Sequence, residues 1–304
     1  DGLEAGTPTR VGPFYRLSYP DRTAGRAADS PARRRHILDP LASSVPFGAT
    51  APAELYDVAG MLAARRDAGY FADLEMRPDP DGVSRVTGPA NMLEIHTATA
   101  TEEGTLEALA ERYRDIAERI RRNEDLSAAD HSFIGYDAVQ LMPVEPTIVY
   151  EAGPAFWDEV SDDPPPREGE LGELEVVIRR PDTTNWGYDV MTVASPAPNP
   201  TLLRSGRPDE LLDLIATLHA FPGRPIKVVF DVVYGHADNQ TLDLLNHHFF
   251  AGANMYGQNL NYRHPVVRAI LLEMQRRKSN YGVDGVRVDG AQDFTRWEAS
   301  EQKL

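Results

Sequence analysis

The residues best placed to do chemistry in this chain are Arg287 and Asp289, two positions apart in the run GVRVD, Gly285 to Asp289. In a strand, residues i and i+2 share a face, so both side chains project together while Val286 and Val288 project to the other side. A guanidinium beside a carboxylate favours the charged form, the state that a carboxylate nucleophile requires. Taken alone, the pair is equally an ordinary ion pair closing a strand. The weight therefore falls on what other strand ends carry.

Three further apolar runs end in reactive residue types. MLEIH, 92–96, ends in His96. YDAVQLMPV, 136–144, leads through a long connection to NWGYD, 185–189, which holds Tyr188 and Asp189. IKVVFDVV, 226–233, contains Asp231 and is followed by His236. A lone histidine or a Trp-Gly-Tyr segment is usually a packing feature; recurrence at four successive strand ends is what points to a site.

The elements that position these residues follow from periodicity. After Gly104, the apolar residues Leu106, Leu109, Tyr113, Ile116 and Ile120 recur at helical spacing, with Thr105 as the expected N-cap. A second helix is expected from about Pro208 to Ala220, with Leu211, Leu212, Ile215 and Leu218 on one face. A third follows Pro265, with Val266, Val267, Ile270, Leu271 and Met274. Strands alternating with helices predict an α/β fold with a parallel sheet. Four such units make the first half of a (β/α)₈ TIM barrel, whose catalytic groups sit at the C-terminal strand ends. The connection at about 145–185 reads as an insert, with a strand expected at 174–179.

Residues 1–88 are rich in Pro, Gly, Ala and Arg and read as an N-terminal extension or small accessory domain preceding a catalytic segment, 89–304. Within them, 54–65 can form one amphipathic helix, and the basic run 33–36 reads as a solvated surface element.

Composition narrows the partners. With 304 residues, 41% hydrophobic, and no apolar run of about 18 residues, nothing predicts a membrane span. The balance of 47 acidic against 31 basic residues, a net charge of −16, argues against nucleic acid and anionic membrane surfaces and is compatible with a neutral substrate. There is no cysteine, which excludes disulfides and thiolate catalysis and fits a reducing, cytoplasmic setting. The sequence begins at Asp1 rather than Met, so the absence of a leader carries little weight.

Over about residues 91–295 the chain resembles the α-amylase superfamily, glycoside hydrolase family 13. VVFDVVYGH, 228–236, and YGVDGVRVD, 281–289, are similar to its first two conserved regions, in order and at a fitting separation. MLEIH, YDAVQLMPV and NWGYD are similar to its first two strands and a sugar-contacting segment. The resemblance implies an amylase-type barrel and retaining cleavage of an α-glucosidic bond. By position it makes Asp289 the nucleophile, with Arg287 holding it ionised and Tyr188 stacking on the sugar. It makes Asp231 a support for the arginine and has His236 hydrogen-bond a substrate hydroxyl. His96 and Asp189 are further candidates for substrate contact or pocket shape.

The chain also departs from that family. No general acid is assigned: Glu298 and Glu301, the glutamates after Asp289, follow too closely for an intervening helix and strand, so the acid is expected outside this chain. Gly235 stands where the family places an asparagine that helps hold calcium, so no cofactor is expected and calcium is in doubt. Gln292 and Asp293 replace a Lys-His pair that contacts the next sugar unit, which argues against long α-glucans. With DPLASSVPFG, 39–48, and YGHADNQ, 234–240, these departures are most similar to the glucosylglycerol hydrolase branch, which implies hydrolysis of glucosylglycerol, a small compatible solute. A transglycosylase or phosphorylase of the same superfamily, and a catalytically inactive sugar-binding homologue, stay open as alternatives. So does pairing of two copies, because half a barrel exposes sheet edges and an open interior.

Overall fold

The computed structural model describes residues 13–20, 34–73, 76–78, 84–86, 88–147, 157–159, 176–178, 186–193 and 195–290. Its centre is a parallel sheet of four strands, β1 (Met92–Ile95), β2 (Ala138–Leu141), β3 (Lys227–Val233) and β4 (Gly285–Asp289), each hydrogen-bonded to its neighbour in sequence order. The α/β class and the parallel sheet are as expected, and every strand falls inside a run read from the sequence.

Helices α1 (Val58–Ala63) and α2 (Ala68–Asp73) precede the sheet; α3 (Leu106–Arg121), α4 (Asp209–His219) and α5 (Pro265–Tyr281) connect its strands. Thr105 caps α3 by accepting from the Ala108 amide, and Glu107 and Arg121 complement its dipole at opposite ends. The fixed φ of Pro265 suits the first turn of α5, and Gly282, at φ 100°, ends it in the left-handed region.

Helices α3, α4 and α5 each bury one stripe against one face of the sheet. Ile95, Val139, Leu141, Val228, Phe230 and Val232 pack with Leu109, Tyr113, Leu211, Ile215 and Met274 in a continuous core. Each fully buried leucine there contributes roughly 1.5–3 kcal/mol.

The other sheet face carries the polar residues, and register aligns them. Glu94 pairs with Gln140 and Gln140 with Val229; Asp231 lies opposite Arg287, and Val233 opposite Asp289. Because parity is preserved across a parallel ladder, Glu94, Gln140, Asp231, Arg287 and Asp289 share one face.

One expectation takes a different form. The single helix over 54–65 is replaced by α1 alone. Glu54 instead joins a two-residue strand pairing Ala53–Glu54 with Phe14–Tyr15, its carboxylate accepts from Ser44 Oγ at 2.7 Å, and Asp57 caps the helix by accepting from the Gly60 amide. Within the strand expected at 174–179, the described residues Val176–Ile178 form a strand antiparallel to Trp157–Glu159. Residues 34–36 of the basic run belong to a strand, Arg34–Ile37, antiparallel to Leu17–Pro20.

The loop after β3 forms a small antiparallel sheet of His236–Ala237, Gly257–Leu260 and Phe250–Asn254. Among the described residues, no helix is long and apolar enough to cross a membrane.

Candidate active site

Four side chains on the polar face and its rim form one connected network. Arg287 Nη1 lies 2.8 Å from both carboxylate oxygens of Asp231 and 2.8 Å from Asp289 Oδ1. Tyr188 donates its hydroxyl to Asp231 Oδ2 at 2.8 Å. The Asp231 side chain is fully buried, whereas that of Arg287 is 46% exposed and that of Asp289 29% exposed. The network thus runs from a buried anchor to a solvent-facing carboxylate.

Charge and burial set the protonation of two members. The Asp231 hydrogen bond, then the Asp231 and Asp289 charges, raise Arg287 further above its already high range, against the opposing effect of burial. Burial first, then the hydrogen bond to Asp231, pushes the Tyr188 hydroxyl up, so it keeps its proton and remains a donor.

Backbone constraints hold Tyr188 at the strand ends. Gly187 sits at φ 93°, and a Cβ there would run into the Pro143 carbonyl. Glycine alone satisfies both conditions at low cost. This residue belongs to the segment singled out in the sequence, but its role is legible only once Pro143 is seen against it.

The remaining expected site residues are placed differently. His236 lies beside the network, with Nε2 3.3 Å from the Tyr188 carbonyl oxygen, but it is buried, and the half-exposed Tyr256 ring stacks on it at 5.3 Å between centroids. Asp189 is exposed at the rim. His96 stands at the end of β1 with Nδ1 3.0 Å from Thr99 Oγ1, a contact within its own turn of chain. Asn185, Gln292, Asp293, Glu298 and Glu301 lie outside the described residues.

Sequence reasoning passed over Glu94 and Gln140. Gln140 Nε2 donates to Glu94 Oε1 at 2.8 Å on the network's own face, and the Glu94 charge also acts on Tyr188. Two polar residues at matching positions of neighbouring apolar strands were the available signal.

Position 235 does not fit the calcium ligand of the resembled family. A Cβ on Gly235 would collide with the Gly290 carbonyl oxygen, so the side chain that a metal would use there has no room. Among the described residues no group of three or more His, Asp or Glu is arranged to hold a metal ion.

The family model described as hypothetical glycoside hydrolase 5 matches residues 1–303. The chain belongs to that family. Among curated protein sequences, none matches. Among solved structures, a Salmonella typhimurium protein assigned as an alpha amylase is similar at TM-score 0.54 and 21% identity, over 86% of this chain and 34% of that one. A pullulanase from Anoxybacillus sp. LM18-11, complexed with maltotetraose, is similar at TM-score 0.52 and 21% identity, over 84% of this chain and 34% of its own. A Paenibacillus barengoltzii pullulanase, complexed with maltohexaose and alpha-cyclodextrin, gives TM-score 0.52 and 21% identity over 84% and 37%. At this identity the likeness concerns the fold. The chain spans about a third of the length of these structures.

Proposed function

We propose that the chain carries the nucleophile side of a retaining α-glycosidase site, on the first four strand–helix units of an amylase-type (β/α)₈ barrel. One observation carries this reading: Arg287 bridges the buried Asp231 to the solvent-facing Asp289, whose Oδ1 it engages at 2.8 Å. Family membership and the amylase-type neighbours support it.

In this reading Asp289 Oδ2 attacks the anomeric carbon as the bond to the leaving oxygen breaks. A covalent glycosyl ester forms, and water then cleaves it. A second carboxyl group, about 5–5.5 Å from Asp289, would protonate the leaving oxygen and later activate that water. Its identity is not assigned. Arg287 orients the attacking carboxylate through its 2.8 Å contact with Oδ1. Tyr188 offers its ring to the sugar while its hydroxyl is held on Asp231, with Asp189 and His96 as further candidates for substrate contact. The finer substrate reading is a small neutral glucoside, with glucosylglycerol cleaved to glucose and glycerol; the resemblance of 39–48 and 234–240 to that branch carries it. Cytoplasmic residence goes with such a substrate.

The test is product analysis of the full natural polypeptide on glucosylglycerol, maltose, maltooligosaccharides and pullulan, with and without phosphate or excess acceptor. We expect α-configured glucose as first product, and Asp289→Asn to lower kcat by at least about 10³-fold. Azide added to Asp289→Ala should yield the β-glucosyl azide. An Asp289→Asn variant as active as the parent would refute the assignment. Absence of cleavage across the panel by the intact protein would favour a sugar-binding homologue.

A further inference from the structure

Behind the network, on the helix side of the sheet, lies a buried ion pair that this chemistry does not use. Lys278, in the last turn of α5, donates its ammonium to Glu145 Oε1; the two side chains are 2% and 0% exposed. The ammonium also lies 5.3 Å from the centre of the Phe230 ring. Glu145 Oε2 is buried with no hydrogen-bond partner, so Lys278 is the carboxylate's side-chain partner among the described residues. Tyr234 lies alongside: burial first, then the Glu145 charge, pushes its hydroxyl up to about 12.

Such a pair adds little net stability, since desolvating both ions offsets their attraction and apolar replacements of similar volume often serve as well. Its location suggests another use. Glu145 belongs to the segment 143–147, which is laced to the segment bearing Tyr188. The Pro143 carbonyl abuts Gly187, the Met191 amide donates to Pro146 O at 3.2 Å, and Thr147 and Val190 form an antiparallel bridge. Phe230 immediately precedes Asp231 in β3. Lys278 therefore touches the support of both partners in the Tyr188–Asp231 hydrogen bond.

We propose that Lys278 is a positioning residue that acts through Glu145 to hold the segment bearing Tyr188 in register with Asp231. Without the ammonium, Glu145 is a buried charge lacking its partner. The chain relieves this by turning position 145 toward solvent, which draws the 143–147 backbone off Gly187. If neither charge is present, nothing drives that movement. The kinetic consequence rests on the glycosidase reading; the structural one does not.

The test compares the full chain with Lys278→Met and with the double variant Lys278→Met/Glu145→Leu by hydrogen–deuterium exchange, using residues 186–193 as reporter and α3 as internal reference. Lys278→Met should speed exchange in 186–193 at least about tenfold relative to α3, and the double variant should return it to within about threefold of the parent. If Lys278→Met does not fold, Lys278→Arg, which keeps the charge but not the fit, should show a smaller increase confined to the same segment. Uniform acceleration across α3 and 186–193, or an unchanged 186–193, would overturn the proposal, as would a folded double variant as fast as Lys278→Met. Where the parent cleaves a glucoside, KM should rise for Lys278→Met and recover in the double variant. If it cleaves none, the glycosidase reading fails while the exchange result still decides this one.

Discussion

Arg287 Nη1 is equidistant from the two carboxylate oxygens of Asp231, 2.8 Å from each, while Asp289 takes the same nitrogen from the solvent side. One guanidinium nitrogen therefore serves two carboxylates of unequal burial. Replacing the buried one, Asp231→Asn, removes the charge that orients the arginine and turns one of the two acceptor oxygens into a donor, so Arg287 and Tyr188 lose an acceptor between them. Displacements of about 1 Å cost on the order of 10²-fold in rate. We expect a loss of at least that size in kcat/KM, with an unchanged far-ultraviolet circular dichroism spectrum as the control for folding.

Gly187→Ala should be harmful although it adds a single methyl group. The substitution combines a positive φ with a collision against the Pro143 carbonyl. Strain of this kind costs about 1–3 kcal/mol. A thermal melt should show the loss in stability, and titration with substrate should show weaker binding, because Tyr188 moves with its neighbour. Gly206, at φ 73° with open space where a Cβ would stand, makes a suitable contrast: Gly206→Ala should carry strain without the collision.

Stability should depend on pH through His219. This imidazole is buried between Asp67, 2.7 Å from Nδ1, and Asp284, 3.0 Å from Nε2, with Tyr70 stacked on it at 3.8 Å. Burial acts to lower its pKa, but the two carboxylates outweigh burial and raise it. Burial acts to raise Asp67, yet hydrogen bonds from His219 and Arg65 hold it well below the usual carboxylate range. The histidine's contribution is complete below its unfolded value of about 6.5 and is lost as pH rises through the higher folded value. That of Asp67 is present above about 3.9 and lost as pH falls toward its depressed value. Melting temperature should therefore decline on the alkaline side of about pH 6.5, and His219→Gln, though less stable overall, should lose that slope.

Tyr256 should control access to His236. The imidazole is buried while the tyrosine over it is half exposed on the turn between Asn254 and Gly257. In Tyr256→Ala, modification of His236 by diethyl pyrocarbonate, followed by peptide mass analysis, should accelerate several-fold; Tyr256→Phe should leave it slow. Equal rates in all three proteins would show that the ring is no barrier.

The sequence exposed the framework because its signals are local. Short apolar runs located β1 to β4 and period-3.6 patterning located α3 to α5, and the Arg287/Asp289 spacing placed both on one face. Asp231, Tyr188 and His236 could be nominated by motif, yet their mutual geometry depends on partners distant in sequence: Tyr188 meets Asp231 43 residues on, and parallel register sets Asp231 opposite Arg287, 56 residues on. Gly187, the Glu94–Gln140 pair and the Lys278–Glu145 pair owe their roles to partners distant in sequence, for which no periodicity exists. The helix expected over 54–65 shows the reverse effect: an acceptable helical pattern lost Glu54 to strand pairing with Phe14 and to the Ser44 hydroxyl, both tertiary contacts.

The contact between Gly235 and Gly290 has an engineering consequence. Bare main chain meets bare main chain where β3 and β4 end, leaving no side chain to trim or enlarge. The spacing of the two strand tips is therefore set by main chain alone, and any side chain at position 235 would force them apart. Attempts to retune the site should leave this seam alone and vary instead Met255, Tyr256 and Trp186, whose side chains face water.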